Sequence, residues 1–382
     1  MREPTQIEGS SRQDRFSRAM LREIYEQPQA ISETIDRHVA GERIFGDELE
    51  SLDPLLNVSR IIIAASGSSR HAGLAAEIVI EDFSGVAVDV EYASEYSYRS
   101  THSPTDPLVM VVSQSGETAD TVAAQREARG REVKTLAICN VSGATIAREA
   151  TVTLLTHAGA ELAVPATKSF TSQLALLYLL ALFLARKRGA QSLEAVRNHL
   201  CRLRELPSAL SAALPMWDEE VRRAAEQFRE AQAFLYLGRG VHYAIAREGA
   251  LKLKEISYAH AEGLPTGELK HGPYALVTRT LPIVALATCD RSDPDSGLRY
   301  RKTLGVLGDI KARGGKLIVV ATQGDEEVPQ LADHVFFVPP APELLLPMLE
   351  VVPLQLLAYH IAILNGCDVD HPRNLVKAVV RE

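Results

Sequence analysis

The sequence predicts an α/β protein of two tandem domains, each a parallel sheet flanked by helices. Three observations carry this. Short apolar runs alternate with stretches of helical length and period, the mark of βαβ units. The alternation starts afresh in the second part of the chain, so the two halves read as a duplication. The chain has 382 residues, 46% of them hydrophobic, enough for two cores of ordinary size.

Residues 1–18 read as a disordered polar lead-in. Helices are predicted over Phe16–Tyr25, stopping before Pro28, and over Ile31–Val39. Arg60–Ala65 is a buried strand ending in Ser66-Gly67-Ser68-Ser69, with a helix following to Phe83. Val86–Tyr92 and Leu108–Val112 are the next strands; the second ends in Ser113-Gln114-Ser115-Gly116-Glu117-Thr118 and a helix to Arg129. Strands over Lys134–Cys139 and Thr151–Thr156 precede a long helix over Thr167–Arg188. Leu193–Phe228 is a helical bridge with a break at Pro207. In the second half, strands are predicted over Phe234–Leu237, Leu281–Ala287, Lys316–Ala321 and His334–Val338, with helices over Arg299–Arg313 and Pro347–Leu364. The expected divisions are a lead-in and helix (1–30), a first domain (31–200), a second domain (201–366) and a tail (367–382).

The net charge of -8 argues against nucleic acid or an anionic membrane surface as the main partner, while leaving room for a local anion site. The apolar stretch Leu174–Ala185 is short for a bilayer span and reads as a buried core helix. No apolar leader follows Met1, and Cys139, Cys201, Cys289 and Cys367 form no C-x-x-C pair. A cytoplasmic protein without a metal site is expected, with Cys139 and Cys289 as small buried hydrophobes.

The two serine-rich turns of the first half are the chief candidates for chemistry. Both follow strands of a parallel sheet, where α/β proteins bind ligands. Free N–H groups at a helix start, short hydroxyls and glycine together suit a phosphate. Helix capping is the competing reading of either turn alone; two such turns in one half shift the balance to phosphate. Neither is a dinucleotide fingerprint or a P-loop, and the corresponding second-half loops, Gly238–Val241 and Thr288–Ser292, lack the serine cluster. Glu248, Lys252 and Glu255 share one helical face, which alone reads as a salt-bridged surface. His271 lies in a loop bracketed by Gly and Pro, and the polar tail after Leu364 is expected to fray.

Taken together these segments resemble the isomerase half of glucosamine-6-phosphate synthase, a pair of sugar-isomerase (SIS) domains. The resemblance runs from MLREIYEQP (20–28) to Glu382 through SQSGETADT (113–121), LAICN (136–140), EGALKLKEISY (248–258), GELKHGP (267–273), VPLQLLAYH (352–360) and DVDHPRNLVK (368–377). It implies that Ser68, Ser69, Ser113, Gln114, Ser115 and Thr118 hold the phosphate, and that Val164, Ala166 and Val376 lie against the sugar. It implies Glu255 as the base moving a proton between C1 and C2, Lys377 as the amine forming a Schiff base with the ketose, and His271, from a neighbouring subunit, as an aid to ring opening. Lys252 and Glu248 would support the C1–C2 end, and the tail would fold over the sugar.

Two departures stand out. The family carries a glutaminase domain before the IYEQP segment; here about twenty residues precede it and position 2 is Arg2, so the chain is expected not to hydrolyse glutamine itself. Ala166 replaces a usual serine, and Ser66-Gly67-Ser68-Ser69-Arg70-His71 replaces a usual Cys-Gly-Thr-Ser start, adding basic character. The expected activity is interconversion of fructose 6-phosphate plus ammonia with glucosamine 6-phosphate by a homodimer, in either direction. Ammonia would be free or come from a separate glutaminase, and no cofactor is implied. The alternatives are a deglycase of 6-phosphorylated fructosyl–amino acids and a non-catalytic sugar-phosphate sensor.

Overall fold

The computed structural model describes residues 17–46, 49–52, 57–99 and 107–380. The predicted lead-in falls outside the described residues up to residue 16. The first half holds strands β1 (Arg60–Ala65), β2 (Ala87–Tyr92), β3 (Leu108–Val112), β4 (Thr135–Cys139) and β5 (Val152–Leu155). The second holds β6 (Ala233–Gly238), β7 (His260–Pro265), β8 (Pro282–Ala287), β9 (Lys316–Thr322) and β10 (His334–Val338). The first sheet runs β2-β1-β3-β4-β5 and the second β7-β6-β8-β9-β10, every pair parallel. The strand order is thus the same in both halves.

The helices are α1 (Ala19–Tyr25), α2 (Gln27–His38), α3 (Gly67–Ser84), α4 (Ala119–Gly130), α5 (Lys168–Lys187), α6 (Leu193–Phe228), α7 (His242–Ser257), α8 (Pro294–Ala312) and α9 (Leu346–Leu364), besides shorter turns. α3 packs on α5, α7 on α9, and α3 on α7, forming a helical layer between the sheets. One apolar core fills this layer and takes in Ile61 and Ile63 of β1 and Phe234 and Tyr236 of β6. Alternate residues, such as Ile62 of β1 and Leu235 of β6, point into two smaller outer cores under α4 and α8. Strands covered on both faces need continuous apolar runs, which is why these runs were legible. Two helical segments, Lys168–Lys187 and Glu343–Leu364, are long and apolar enough to cross a membrane, but both are core elements, 100% and 89% buried.

Four expectations need correction. The first helix stops at Tyr25, before Pro28, as expected, but the second starts at Gln27 rather than Ile31, with Pro28 in its first turn, where its missing N–H has no partner to lose. The break at Pro207 is absent: α6 runs unbroken for 36 residues with Pro207 and Pro215 inside it. Each interior proline costs about 3 kcal/mol, but Leu200, Leu203, Leu206, Leu210, Leu214 and Trp217 form a buried stripe, each side chain contributing about 1.5–3 kcal/mol. The stripe outweighs the prolines. Strand β7 was not expected because His260–Pro265 contains Gly263 and Pro265; as an edge strand it pairs only with β6 and tolerates both. Cys289 is half-buried in a loop, unlike Cys139, which is fully buried.

Beyond the carboxyl ends of the second sheet lies a buried ion cluster. His242, the first residue of α7, bonds Glu350 through Nδ1 and Glu343 through Nε2, both at 2.9 Å. Thr288 donates to Glu350, and Ser296 and Arg299 donate to Glu343. Burial opposes the His242 charge, but the two glutamates outweigh it and push its pKa up to about 10. Burial likewise opposes the Glu343 charge, and His242, Ser296 and Arg299 hold it down at about 2.

Candidate active site

Ser66 precedes α3 and Thr118 precedes α4, yet neither side chain caps its helix. Ser192 does cap α6, accepting from Ala195 N. Capping therefore does not account for the hydroxyls at the first two turns. Ser69 Oγ accepts from Gln173 Nε2 at 3.0 Å, and Ser113 Oγ accepts from Gly116 N at 3.1 Å. A hydroxyl that accepts still has its own proton to give, so Ser69 and one member of the Ser113–Thr118 pair, 3.0 Å apart, can donate to an anion. Ser115 Oγ accepts from Glu117 N, and Gln114 is half-buried at the rim. Gly116 has φ +67°, and a Cβ there would meet Ala144 Cβ at 2.4 Å, so no other residue fits the turn. Glu117 ties the loop to Thr145 through its N–H and hydroxyl at 2.7 and 2.8 Å.

Ser68 joins this cradle to the second domain. Its Oγ accepts from Lys252 Nζ at 3.1 Å. Lys252 lies on α7, 1% exposed, 2.5 Å from Glu255 and 3.5 Å from Glu248. Glu248 is fully buried and its other oxygen meets His71 Nδ1 at 2.8 Å. The surface reading of this helical face is therefore wrong: the face is buried and spans the domain boundary. Burial works against the charge on Glu248 and on Lys252, but their mutual attraction, with His71 and Glu255 helping, holds the glutamate ionised and the lysine protonated. Glu255 differs: burial prevails and raises its pKa above the ordinary carboxylate value. It is also the one of the three that reaches solvent, with its side chain 21% exposed. A reachable carboxylate with a raised pKa beside a fixed cation is suited to moving a proton at near-neutral pH.

The tail is tied rather than frayed. The Asp370 carboxylate accepts from Ala19 and Met20 N–H at the start of α1, and its carbonyl accepts from Val164 N. The Arg373 guanidinium stacks on Tyr258. Lys377 Nζ donates to Glu161 Oε2 at 2.7 Å and to the Ala163 carbonyl at 2.6 Å. Val379 O accepts from Ala119 N, one residue past Thr118. The tail thus crosses the cradle with Lys377 beside the half-buried Val164 and Ala166, while the Val376 side chain points outward, 63% exposed.

His271 is exposed, and among the described residues its ring has no partner in this chain. Sequence reasoning missed Glu161, which holds Lys377, and Gln173, which orients Ser69. Glu161 is a buried acid between small apolar residues, a signal visible in Gly159-Ala160-Glu161-Leu162-Ala163. Gln173, the polar residue at the head of the apolar stretch Leu174–Ala185, was the other available sign.

A family model described as the SIS domain matches residues 55–183 and again 227–365. Glutamine–fructose-6-phosphate aminotransferases of Chlorobaculum tepidum and Thermus thermophilus are 43% and 44% identical over 370 residues. Each alignment takes in 96% of this chain and 59% of the relative, so the chain spans under two thirds of the length of the curated relatives it matches. The C-terminal domain of glucosamine-fructose-6-phosphate aminotransferase from Francisella tularensis superposes with a TM-score of 0.87 at 37% identity, covering 94% of this chain and all of that one. A glucosamine-6-phosphate deaminase from Thermotoga maritima superposes at 0.71 with 22% identity over 94% of this chain and 99% of its own, a likeness of fold. With two matched domains, one strand order repeated and a cradle between them, the chain belongs to the SIS-domain family.

Proposed function

We propose that the chain interconverts fructose 6-phosphate plus ammonia with glucosamine 6-phosphate, the isomerase chemistry of its aminotransferase relatives. The observation that carries this is the junction of Ser68 with Lys252, which sets a hydroxyl cradle directly against the Glu248–Lys252–Glu255 face. In this reading the first domain (31–200) grips the phosphate through Ser69, Ser113, Gln114, Ser115 and Thr118, and the second (201–366) brings Glu255 to the C1–C2 end. Glu255 moves the proton between the two carbons. Lys252 limits the rise in its pKa and steadies the negative charge that develops on the intermediate. Lys377 gives up its proton and its bond to Glu161, and its free amine condenses with the C2 carbonyl of the ketose, expelling water; ammonia then displaces the lysine from C2, which returns the free amine. His271 serves the site of a second copy in a homodimer, and its exposed ring is free to do so among the described residues. Ammonia is the nitrogen donor whatever its source.

The test incubates purified protein with glucosamine 6-phosphate and follows ammonia and fructose 6-phosphate, with the reverse reaction as a second assay. Equal release of both products is expected. Glu255→Gln should abolish turnover, by about a hundredfold or more, and keep phosphate binding; Lys377→Ala should be inactive as well. Full activity in Glu255→Gln sinks the assignment. Turnover of a fructosyl–amino acid 6-phosphate alone would favour a deglycase instead.

A further inference from the structure

Arg70 follows the first cradle turn. The residue is only 9% exposed, and its Nε and Nη1 have no hydrogen-bond partner among the described residues. Its guanidinium lies 3.7 Å from the centre of the Tyr92 ring, whose hydroxyl accepts from Arg247 Nη2 at 3.0 Å. Arg247 Nη1 donates to the Tyr243 hydroxyl at 3.1 Å. Neither arginine has a carboxylate within ion-pair distance among the described residues. Both line a cleft of about 500 Å³ between the two domains, where His71, Lys254 and His260 add basic groups against a single acid, Glu262.

We propose that this interdomain cleft is a second anion site, in which Arg70 and Arg247 take the carboxylate or phosphate of a small ligand. Glu77 acts on Arg70 only from beyond ion-pair distance, and a guanidinium removed from water without a paired counter-charge is unfavourable. A planar guanidinium fork matches an oxyanion in bidentate fashion, and the Arg70 donors that would do so are unpaired and shielded from water. Tyr92 fixes both forks at once, one on its ring face and one on its hydroxyl, so the donors are set before the ligand arrives. The cleft shares Gly67 with the first cradle turn but none of the hydroxyls of Ser69, Ser113, Ser115 and Thr118; His71 belongs to its wall and touches Glu248, so a ligand there sits one side chain from the Lys252–Glu255 pair.

Isothermal titration of the full chain tests this with inorganic phosphate and succinate as probes, so the result does not depend on turnover. A cradle variant, Ser113→Ala with Thr118→Val, is expected to keep one site per chain for either anion. Adding Arg70→Gln should weaken that site about tenfold or more. Arg247→Gln, at a half-buried position, gives the same readout should the Arg70 variant not fold. Two arms locate the anion's source. If it belongs to the substrate, Arg247→Gln raises KM about tenfold for a 6-phosphorylated fructosyl–amino acid and leaves fructose 6-phosphate unaffected. If it is a free ligand, succinate binds alongside fructose 6-phosphate; either result upholds the site. No binding in the cradle variant, or equal affinity with and without the arginines, overturns the proposal. So does a dimer that Arg247→Gln dissociates while no anion binds, since a second copy would then be the arginines' partner.

Discussion

At the scale of single residues, three charged groups on one helical face have been given different fates by burial. Glu248 and Lys252 are sealed and each favours the other's charged form, whereas Glu255 reaches solvent and holds its proton more tightly than a free carboxyl. Lys252 is the main influence opposing that rise. Removing it leaves burial unopposed, so the pKa of Glu255 climbs further. Lys252→Met is therefore expected to move the acidic limb of the kcat/KM profile upward by about 1–3 pH units. A fall in activity with an unmoved limb would mean that Lys252 acts on the substrate alone. The spacing of these residues was legible from the sequence as one face of a helix. Its burial was not, because it depends on Ser68 and His71, some 180 residues away. Partners such as Glu161 and Gln173 were hidden for the same reason: pairing of this kind is written in the packing of α3, α5 and the tail, not in any local period.

At the scale of elements, strands buried on both faces were readable because nothing but apolar residues can occupy them. Errors fell where local rules meet tertiary packing. Pro207 was outvoted by the stripe of α6, and β7 lacked the composition of a strand because an edge position needs less. The tail was misread as frayed since its anchors are backbone groups near residue 20 and a carboxylate at 161. Asp370 is the principal tie. Asp370→Ala removes the acceptor of two buried or half-buried N–H groups, and the tail beyond it should loosen. The expected result is faster proteolysis after residue 370 and a fall in kcat of about tenfold or more, with phosphate affinity at the cradle retained. Unchanged kcat would show that Lys377 does not depend on this tie.

On the scale of the whole molecule, two halves with one strand order treat the same location differently. In the first, the space beyond the strand ends is lined by hydroxyls. In the second it holds the chain's own glutamates, with Thr288 following β8 as Ser113 follows β3. The stability this cluster supplies follows from its pKa values. His242 is raised from 6.5 to about 10, so its share is fully present below pH 6.5 and lost as pH rises toward 10. Glu343 is lowered from 4.5 to about 2, so its share is present above pH 4.5 and lost as pH falls toward 2. His242→Gln should cost about 3–5 kcal/mol between pH 5 and 6, and the gap from the unaltered protein should narrow as pH rises to 10. A difference in melting temperature that does not vary with pH would show that packing, not charge, holds this end.

His242 is also the first residue of the helix that bears Glu255. A tethered carboxylate presents itself at an effective concentration that a dissolved anion cannot rival, and it never diffuses away. The root of the helix that bears the proposed base is consequently held in the same way whether or not a sugar is bound. In the proposed reaction, ordering costs that accompany each arrival of substrate fall on the serine turns and on the tail, which can relax and reset, while the Glu255 carboxylate waits in place.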